Sequence, residues 1–297
     1  MVKLAYRCLF EQFEAMLAEE PIAWEGLDIE GVHQMRVATR RLRAALWAFK
    51  SVFNSDRRAE FRREFKWLAS VLGNVRDMDV FLHDLRGYID QFPSEEALCL
   101  EDYRHNLEEQ MKAARKQLID CLSGDRYRTL KSNFSDFLRL GPSADVNASG
   151  AVETIGDAAT RLLGRQYKRV LRDGRLITLE SPDEELHALR IGCKRLRYLF
   201  EFFRTVYGKS LNPYIKPLKT LQNVLGEFQD ANVARGQLFQ YAQSVPMQDS
   251  NRAQLLVIGQ LIASQRHKAS DRRARFYKVW KRFDRRRARK QLLEVLS

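Results

Sequence analysis

Glycine and proline are scarce, at 15 and 7 among 297 residues. Sandwiches of short strands and linker-rich chains need more turn formers than this, so long helices are favoured. Cysteine is scarce too. Cys8, Cys99, Cys121 and Cys193 lie far apart with no Cys-x-x-Cys pair, which argues against a disulfide or zinc framework and suits a reducing, cytoplasmic setting. No apolar run approaches the roughly 18 residues of a membrane span, so no membrane partner is expected. Met1 to Arg7 is soon followed by Glu11 and Glu14, a pattern unlike a secretory signal. Phosphate-binding Gly-x-x-x-x-Gly-Lys-Ser/Thr and nucleophile-bearing Gly-x-Ser-x-Gly motifs are missing as well. Acidic charge is the last shortage. Against 51 Lys and Arg stand 38 Asp and Glu, leaving a net +13 and a pI near 9.7. Such an excess favours polyanionic partners and is silent about fold.

The positive charge is unevenly placed. Residues 266–290 hold 13 Lys or Arg against Asp271 and Asp284, a local +11, so the remainder carries only +2. Phe276, Val279, Trp280 and Phe283 recur at helical spacing inside this run. They predict an amphipathic final helix with a basic solvated face, or a secondary anion-binding surface continued by Arg285, Arg286 and Arg287.

The chain also repeats itself. Residues 33–43 read His-Gln-Met-Arg-Val-Ala-Thr-Arg-Arg-Leu-Arg, and residues 187–197 read His-Ala-Leu-Arg-Ile-Gly-Cys-Lys-Arg-Leu-Arg, an offset of 154. Val71 to Asp79 matches Val224 to Asn232 at an offset of 153, sharing the Val-Leu-Gly step and placing Asp77 against Asp230. Arg126, Tyr127 and Phe134 echo Arg275, Phe276 and Phe283 more weakly. Preserved order over so much chain indicates a duplication. The breaker-rich stretch 142–150 divides it into halves 1–141 and 151–297. Further breaks fall near Pro21 to Gly31, Asn54-Ser55, Phe92-Pro93-Ser94 and Ser123-Gly124-Asp125 in the first half. In the second they fall near Asp173-Gly174, Ser181-Pro182, Asn212-Pro213 and Ser244-Val245-Pro246. Ser181 is expected as an N-cap, with Pro182 opening the helix and a Glu in its first turn. About four helices per half predict an all-α protein of two bundles related by a pseudo-twofold.

At 100° per residue, Arg36, Arg40 and Arg43 fall within about 80° of His33. Met35, Ala38, Leu42, Ala45, Leu46 and Phe49 lie opposite, and Arg41 sits on the flank. The second copy repeats this, with His187, Arg190, Lys194 and Arg197 facing away from Leu189, Leu196, Phe200 and Phe203. Arg195 matches Arg41, and Glu201 is placed to pair locally. Surface helices usually interleave acids among their bases, yet residues 33–50 contain none. Clustered cations repel one another, a cost that a bound anion would relieve. The following helices add a second row, Arg63 and Lys66 against Lys216 and Lys219, with Leu68, Leu72, Leu221 and Leu225 on the buried side. Asp77 and Asp230 are expected to brace arginines, and Arg115 with Arg266 to offer a third row.

These paired segments resemble the CHAD family, the conserved histidine α-helical domain, whose hallmark is His-x-x-Arg-x-x-x-Arg/Lys-Arg-Leu-Arg in each half. The resemblance extends over essentially the whole chain, although Arg76 and Gln229 differ between the copies. It implies two four-helix bundles with a basic groove or pore between them, and non-catalytic binding of inorganic polyphosphate, often at polyphosphate granules. Phosphate or sulfate ions would occupy the same site. Many relatives carry a preceding triphosphate-tunnel catalytic domain; this chain opens in the helical region, so that activity is not expected. No catalytic residue, metal or cofactor is expected. On this reading a phosphate drives His33 and His187 toward the charged form while nearby arginines oppose it, so binding should weaken at higher pH.

Two rivals remain. His83-Asp84 is a literal His-Asp pair, as in all-α metal phosphohydrolases, but the other histidines do not supply a converging ligand set. A nucleic-acid-binding protein fits the charge, with RNA as the ligand. Single strands call for exposed stacking aromatics, whereas Trp47, Phe49, Trp67 and Phe137 read as core.

Overall fold

A computed structural model describes residues 1–90, 92–141 and 154–296, with side chains at 287–289 and 293 left aside. The expected linker 142–150 lies outside the described residues. All regular structure among the described residues is helical, in accord with the all-α expectation. In chain order the helices are α1 (Val2–Glu25), α2 (Ile29–Ala48), α3 (Ser55–Ile89), α4 (Ser94–Leu98), α5 (Glu101–Ser123) and α6 (Asp125–Leu140). They continue with α7 (Ile155–Leu176), α8 (Asp183–Phe202), α9 (Arg204–Tyr207), α10 (Asn212–Ser244), α11 (Arg252–Phe283) and α12 (Arg286–Leu296). The chain forms two compact units, Met1–Gln91 with Asp102–Thr154, and Phe92–Glu101 with Ile155–Ser297. The short α4 thus belongs to the second unit, although it precedes most of that unit by half the chain.

In the first unit α2 packs against α1 and α3. Its start is fixed by Asp28, whose carboxylate accepts from the Glu30 amide at 2.8 Å. Asn54 caps α3 by accepting from the amides of Asp56 and Arg57, at 2.9 and 3.3 Å. Caps of this kind are worth about 1 kcal/mol each. The α1–α2 turn closes on Gly26, in the left-handed region at φ 71°. The Arg115 guanidinium donates to the carbonyls of Ala23 and Trp24 at 2.9 and 3.1 Å. A Cβ at Gly26 would overlap that guanidinium, so glycine is needed here for both backbone sign and space. The core is aromatic. Phe134 meets Phe61, Phe65 and Phe13 edge-on with centroids 4.8–5.0 Å apart, and is fully buried.

In the second unit α8 packs against α7 and α10, and α10 runs along α11. Phe276, Val279, Trp280 and Phe283 of the basic run are buried here. Arg273 pairs with Asp183 at 2.8 Å, Arg272 with Glu227, and Arg175 with Asp284 at 2.8 Å. The amphipathic character expected for this run is present over 266–283, with two of its basic residues, Arg272 and Arg273, paired with acids of the same unit.

Three expected details differ. Helix α7 continues through Asp173-Gly174 to Leu176. Gly174 lies flush against the Trp280 indole, which an added Cβ would overlap, so it serves close packing and does not end the helix. Pro182, not Ser181, precedes the first helical residue of α8. The Ser181 hydroxyl instead accepts from the Thr178 amide and donates to the Glu185 carboxylate, at 3.1 and 2.7 Å. Helix α1 also runs past Pro21 for one further turn, since a proline so near the end costs one hydrogen bond whose acceptor can reach water. The cysteines are free, with Cys8, Cys121 and Cys193 buried. Burial pushes the Cys121 thiol up to about 11 and Cys8 to about 12, which leaves them unreactive.

Candidate functional site

The periodicity of α2 decides which side chains reach solvent. Met35, Leu42, Ala45, Leu46 and Phe49 are wholly buried and Ala38 nearly so. That leaves His33, Arg36, Arg40, Arg41 and Arg43 half-buried along the other side. On α8, Leu189, Leu196, Phe200 and Phe203 are buried, and His187, Arg190, Lys194, Arg195 and Arg197 are half-buried. Leu68, Leu72, Leu221 and Leu225 are buried on α3 and α10, while Arg63, Lys66, Lys216 and Lys219 are exposed.

Each unit builds the same arginine seat. A Cβ placed on Gly73 would stand 3.8 Å from the Nε of Arg36, and one on Gly226 would stand 3.8 Å from the Nε of Arg190. The absent side chain gives the arginine stem a smooth stretch of helix to lie along. Asp77 approaches Arg36 at 3.9 Å and Asp230 approaches Arg190 at 3.8 Å. Both carboxylates are more than half exposed, so each pair contributes under about 1 kcal/mol and serves chiefly to orient. The bracing expected for these aspartates is observed.

The ends of the two rows differ. Burial holds the His33 imidazolium below its usual 6.5; Glu30 opposes this, and Arg76, Arg40 and Arg36 reinforce it. The Nδ1 of His33 is buried without a hydrogen-bond partner. The Nδ1 of His187 instead lies 3.0 Å from Oε1 of Gln229, the residue matching Arg76. At the other end Arg197 pairs with Glu201 at 3.4 Å, as anticipated. Arg43 has no such acid among the described residues; burial, together with the neighbouring Arg62, lowers its proton affinity.

Two expected members sit elsewhere. Arg63 turns to Glu64 at 3.1 Å, a carboxylate shared with Arg126 at 2.7 Å, and those hydrogen bonds hold Glu64 below the usual carboxylate range. Arg126 also covers Trp67, 4.1 Å from its centroid. Arg115 is committed to the end of α1, so it does not form a third row. Two further cations of α3, which the pattern did not single out as ligands, adjoin the α2 row: Arg62 beside Arg43 and Arg76 beside His33. Part of their signal was available: Arg76 lies one turn and Arg62 three turns from Gly73 on one face of α3, but that spacing alone does not separate Arg62 from its exposed neighbour Arg63.

A sequence profile described as the CHAD domain matches residues 7–238. The chain belongs to the CHAD family. Within that family it is 29% identical over 247 residues to the uncharacterized protein Rv2226 of Mycobacterium tuberculosis, and equally to its counterpart MT2285 in another strain. The match covers 80% of this chain but 45% of theirs, so the chain spans about half the length of these curated relatives. The crystal structure of the CHAD domain from the plant Ricinus communis aligns with a TM-score of 0.76 at 27% identity, covering 94% of this chain and 91% of that one. PptA from Streptomyces chartreusis shares the fold with a TM-score of 0.75 at 18% identity, covering 95% and 99%.

For this CHAD chain, the residues named for the two rival readings, a metal phosphohydrolase and a nucleic-acid binder, stand as follows. His83 is exposed, and no group of three or more His, Cys, Asp or Glu among the described residues is gathered as a metal site requires. Phe49 and Phe137 are buried as expected, whereas Trp47 and Trp67 are half-buried, and Phe10, Trp24 and Phe239 are exposed. No described helix is long and apolar enough to cross a membrane.

Proposed function

We propose that this CHAD chain binds inorganic polyphosphate without hydrolysing it, through the basic rows on α2 with α3 and on α8 with α10, and that it associates with polyphosphate granules in the cytoplasm. The supporting observation is the repeated seat: an arginine laid over a glycine, steadied by an aspartate, within a row whose other cations outnumber their acids. Polyphosphate carries about one negative charge per residue and no bases, so recognition needs spaced donors and no sequence reading. Guanidinium groups held in place supply charge-assisted, bidentate hydrogen bonds to such a ligand. Release of condensed counterions adds affinity and makes it fall steeply with salt.

The test is titration of defined-length polyphosphates into wild type and into Arg36→Ala, Arg40→Ala, Arg190→Ala and Lys194→Ala, at several salt concentrations. The expected result is weaker binding and a shallower salt slope in every variant, with no release of orthophosphate. Loss from both units marks one ligand engaging both rows, and loss from one marks a single working row. Wild-type binding that is absent, or displaced by RNA at matched phosphate concentration, overturns the reading in favour of a nucleic-acid ligand or none.

A further inference from the structure

We propose that Arg58 and Arg62, neither of them among the residues already assigned, join Arg43 of the α2 row to form an additional phosphoryl-binding subsite, present in the first unit only, at the end of the row remote from His33. The inference rests on the polyphosphate reading and adds to it a place and an inequality.

Arg43 lies in the last turns of α2, and Arg62 comes up beside it from α3, close enough for the two charges to disfavour each other. Arg58 precedes Arg62 by four residues on α3, which puts both on one face of the helix. Its Nε is buried and has no hydrogen-bond partner. None of the three has a carboxylate partner among the described residues. The nearby acids are engaged elsewhere: Asp56 accepts from the Ser55 hydroxyl at 3.2 Å, and Glu60 with Glu64 lines a cleft facing Asp125, Arg126 and Asn133. Arg58 also occupies the first turn of α3, the positive end of the helix dipole, where a cation is disfavoured and an anion favoured. Burial and Arg62 act against Arg43, and the helix dipole acts against Arg58, so this end of the row carries an excess of positive charge that phosphoryl groups of a polyphosphate chain would offset.

The second unit is built the opposite way. Leu211 and Ile215 stand where Arg58 and Arg62 would be at the same offset of 153, and Leu211 is buried. Arg197, the counterpart of Arg43, already has Glu201. Duplication has thus left one copy with an open cationic end and the other with a closed, neutral one.

The experiment compares polyphosphate binding by wild type, Arg58→Gln with Arg62→Gln, and a control that removes the same formal charge from α6, Arg128→Gln with Arg139→Gln. Expected for the α3 pair is a loss of about tenfold or more, with the slope of log affinity against log salt reduced by about one to two. The unliganded thermal midpoint should hold or rise, because repulsion is relieved. Arg62→Lys should recover part of the affinity. A loss no larger than the control's, at an unchanged salt slope, overturns the subsite. If Arg36→Ala and Arg40→Ala weaken binding while the α3 pair does not, the subsite falls and the polyphosphate reading stands. If wild type fails to bind, that reading falls and takes the subsite with it.

Discussion

Helices α2 and α8 carry the same histidine, the same leading arginine and the same Arg-Leu-Arg triplet, yet their surroundings diverge at both ends. Around His33 stand Arg36, Arg40 and Arg76, with Glu30 opposing; beside His187 stands the neutral Gln229. Past Arg43 the row meets another cation, Arg62, whereas past Arg197 it meets Glu201. The middle is shared to within 0.1 Å at the arginine–aspartate contact, 3.9 against 3.8 Å. Positions that seat one helix on the other are kept after duplication, because a change there disturbs packing. Positions at the margins are free to drift in charge, and on the proposed polyphosphate reading that charge sets how strongly each copy holds the ligand.

The comparison predicts unequal losses. Arg36→Gln with Arg40→Gln should cost about 100-fold in polyphosphate affinity, since each lost charge-assisted bond is worth about 1.5–3 kcal/mol. Arg190→Gln with Lys194→Gln should cost about tenfold, because the second row is already part-neutralised and contributes less. Equal losses in parallel titrations would break the comparison.

A packing change of similar size belongs to the second unit alone. Gly174→Ala should destabilise by about 2–3 kcal/mol through collision with Trp280, read by denaturant unfolding. Gly164→Ala on the same helix, where a Cβ meets nothing within 4 Å, should instead stabilise by about 0.5–1 kcal/mol. Matching signs for the two would contradict the close approach of α7 and α11.

Proton linkage sharpens the contrast between the histidines. With His33 held below 6.5 when folded, the unfolded chain binds the extra proton first. Stability from this group is complete above pH 6.5 and declines as pH falls toward the lowered value. A phosphate acts in the opposite sense, so affinity should rise over that same acidic window, about threefold, and His33→Gln should remove both effects. Calorimetry in buffers of different ionisation enthalpy reads the proton uptake; a pH-independent affinity in wild type would assign His33 the role of a neutral donor. The smallest effect is expected from Glu201→Gln. Freeing Arg197 should raise affinity about twofold and change stability by under about 0.5 kcal/mol, as part-exposed pairs do; a loss of affinity would mean that Glu201 positions Arg197 for the ligand.

How much of this was legible in the sequence follows from period and angle. The buried faces of α2 and α8 were readable because 3.6-residue spacing alone decides them. The choice between Arg62 and Arg63 was not, because neighbours on a helix point about 100° apart and both stay on the solvent side of α3. Only the angle at which α3 crosses α2 selects Arg62 and sends Arg63 to Glu64. Gly174 looked like a breaker because its reason, the Trp280 indole, lies more than 100 residues away in the chain. The first cause of the lowered His33 is burial, which no one-dimensional charge count contains; the arginines that were expected to act do so after it.

The guanidinium that closes the α1–α2 turn comes from Arg115, on a helix made after α2 and α3. During synthesis from the N-terminus, the His33 helix emerges with the preceding turn still unfastened. A nascent chain that stops short of α5 leaves the Ala23 and Trp24 carbonyls without that donor. The last fastening of the α1–α2 turn therefore waits for α5, whereas α2 already has its Asp28 cap and its packing on α1 and α3.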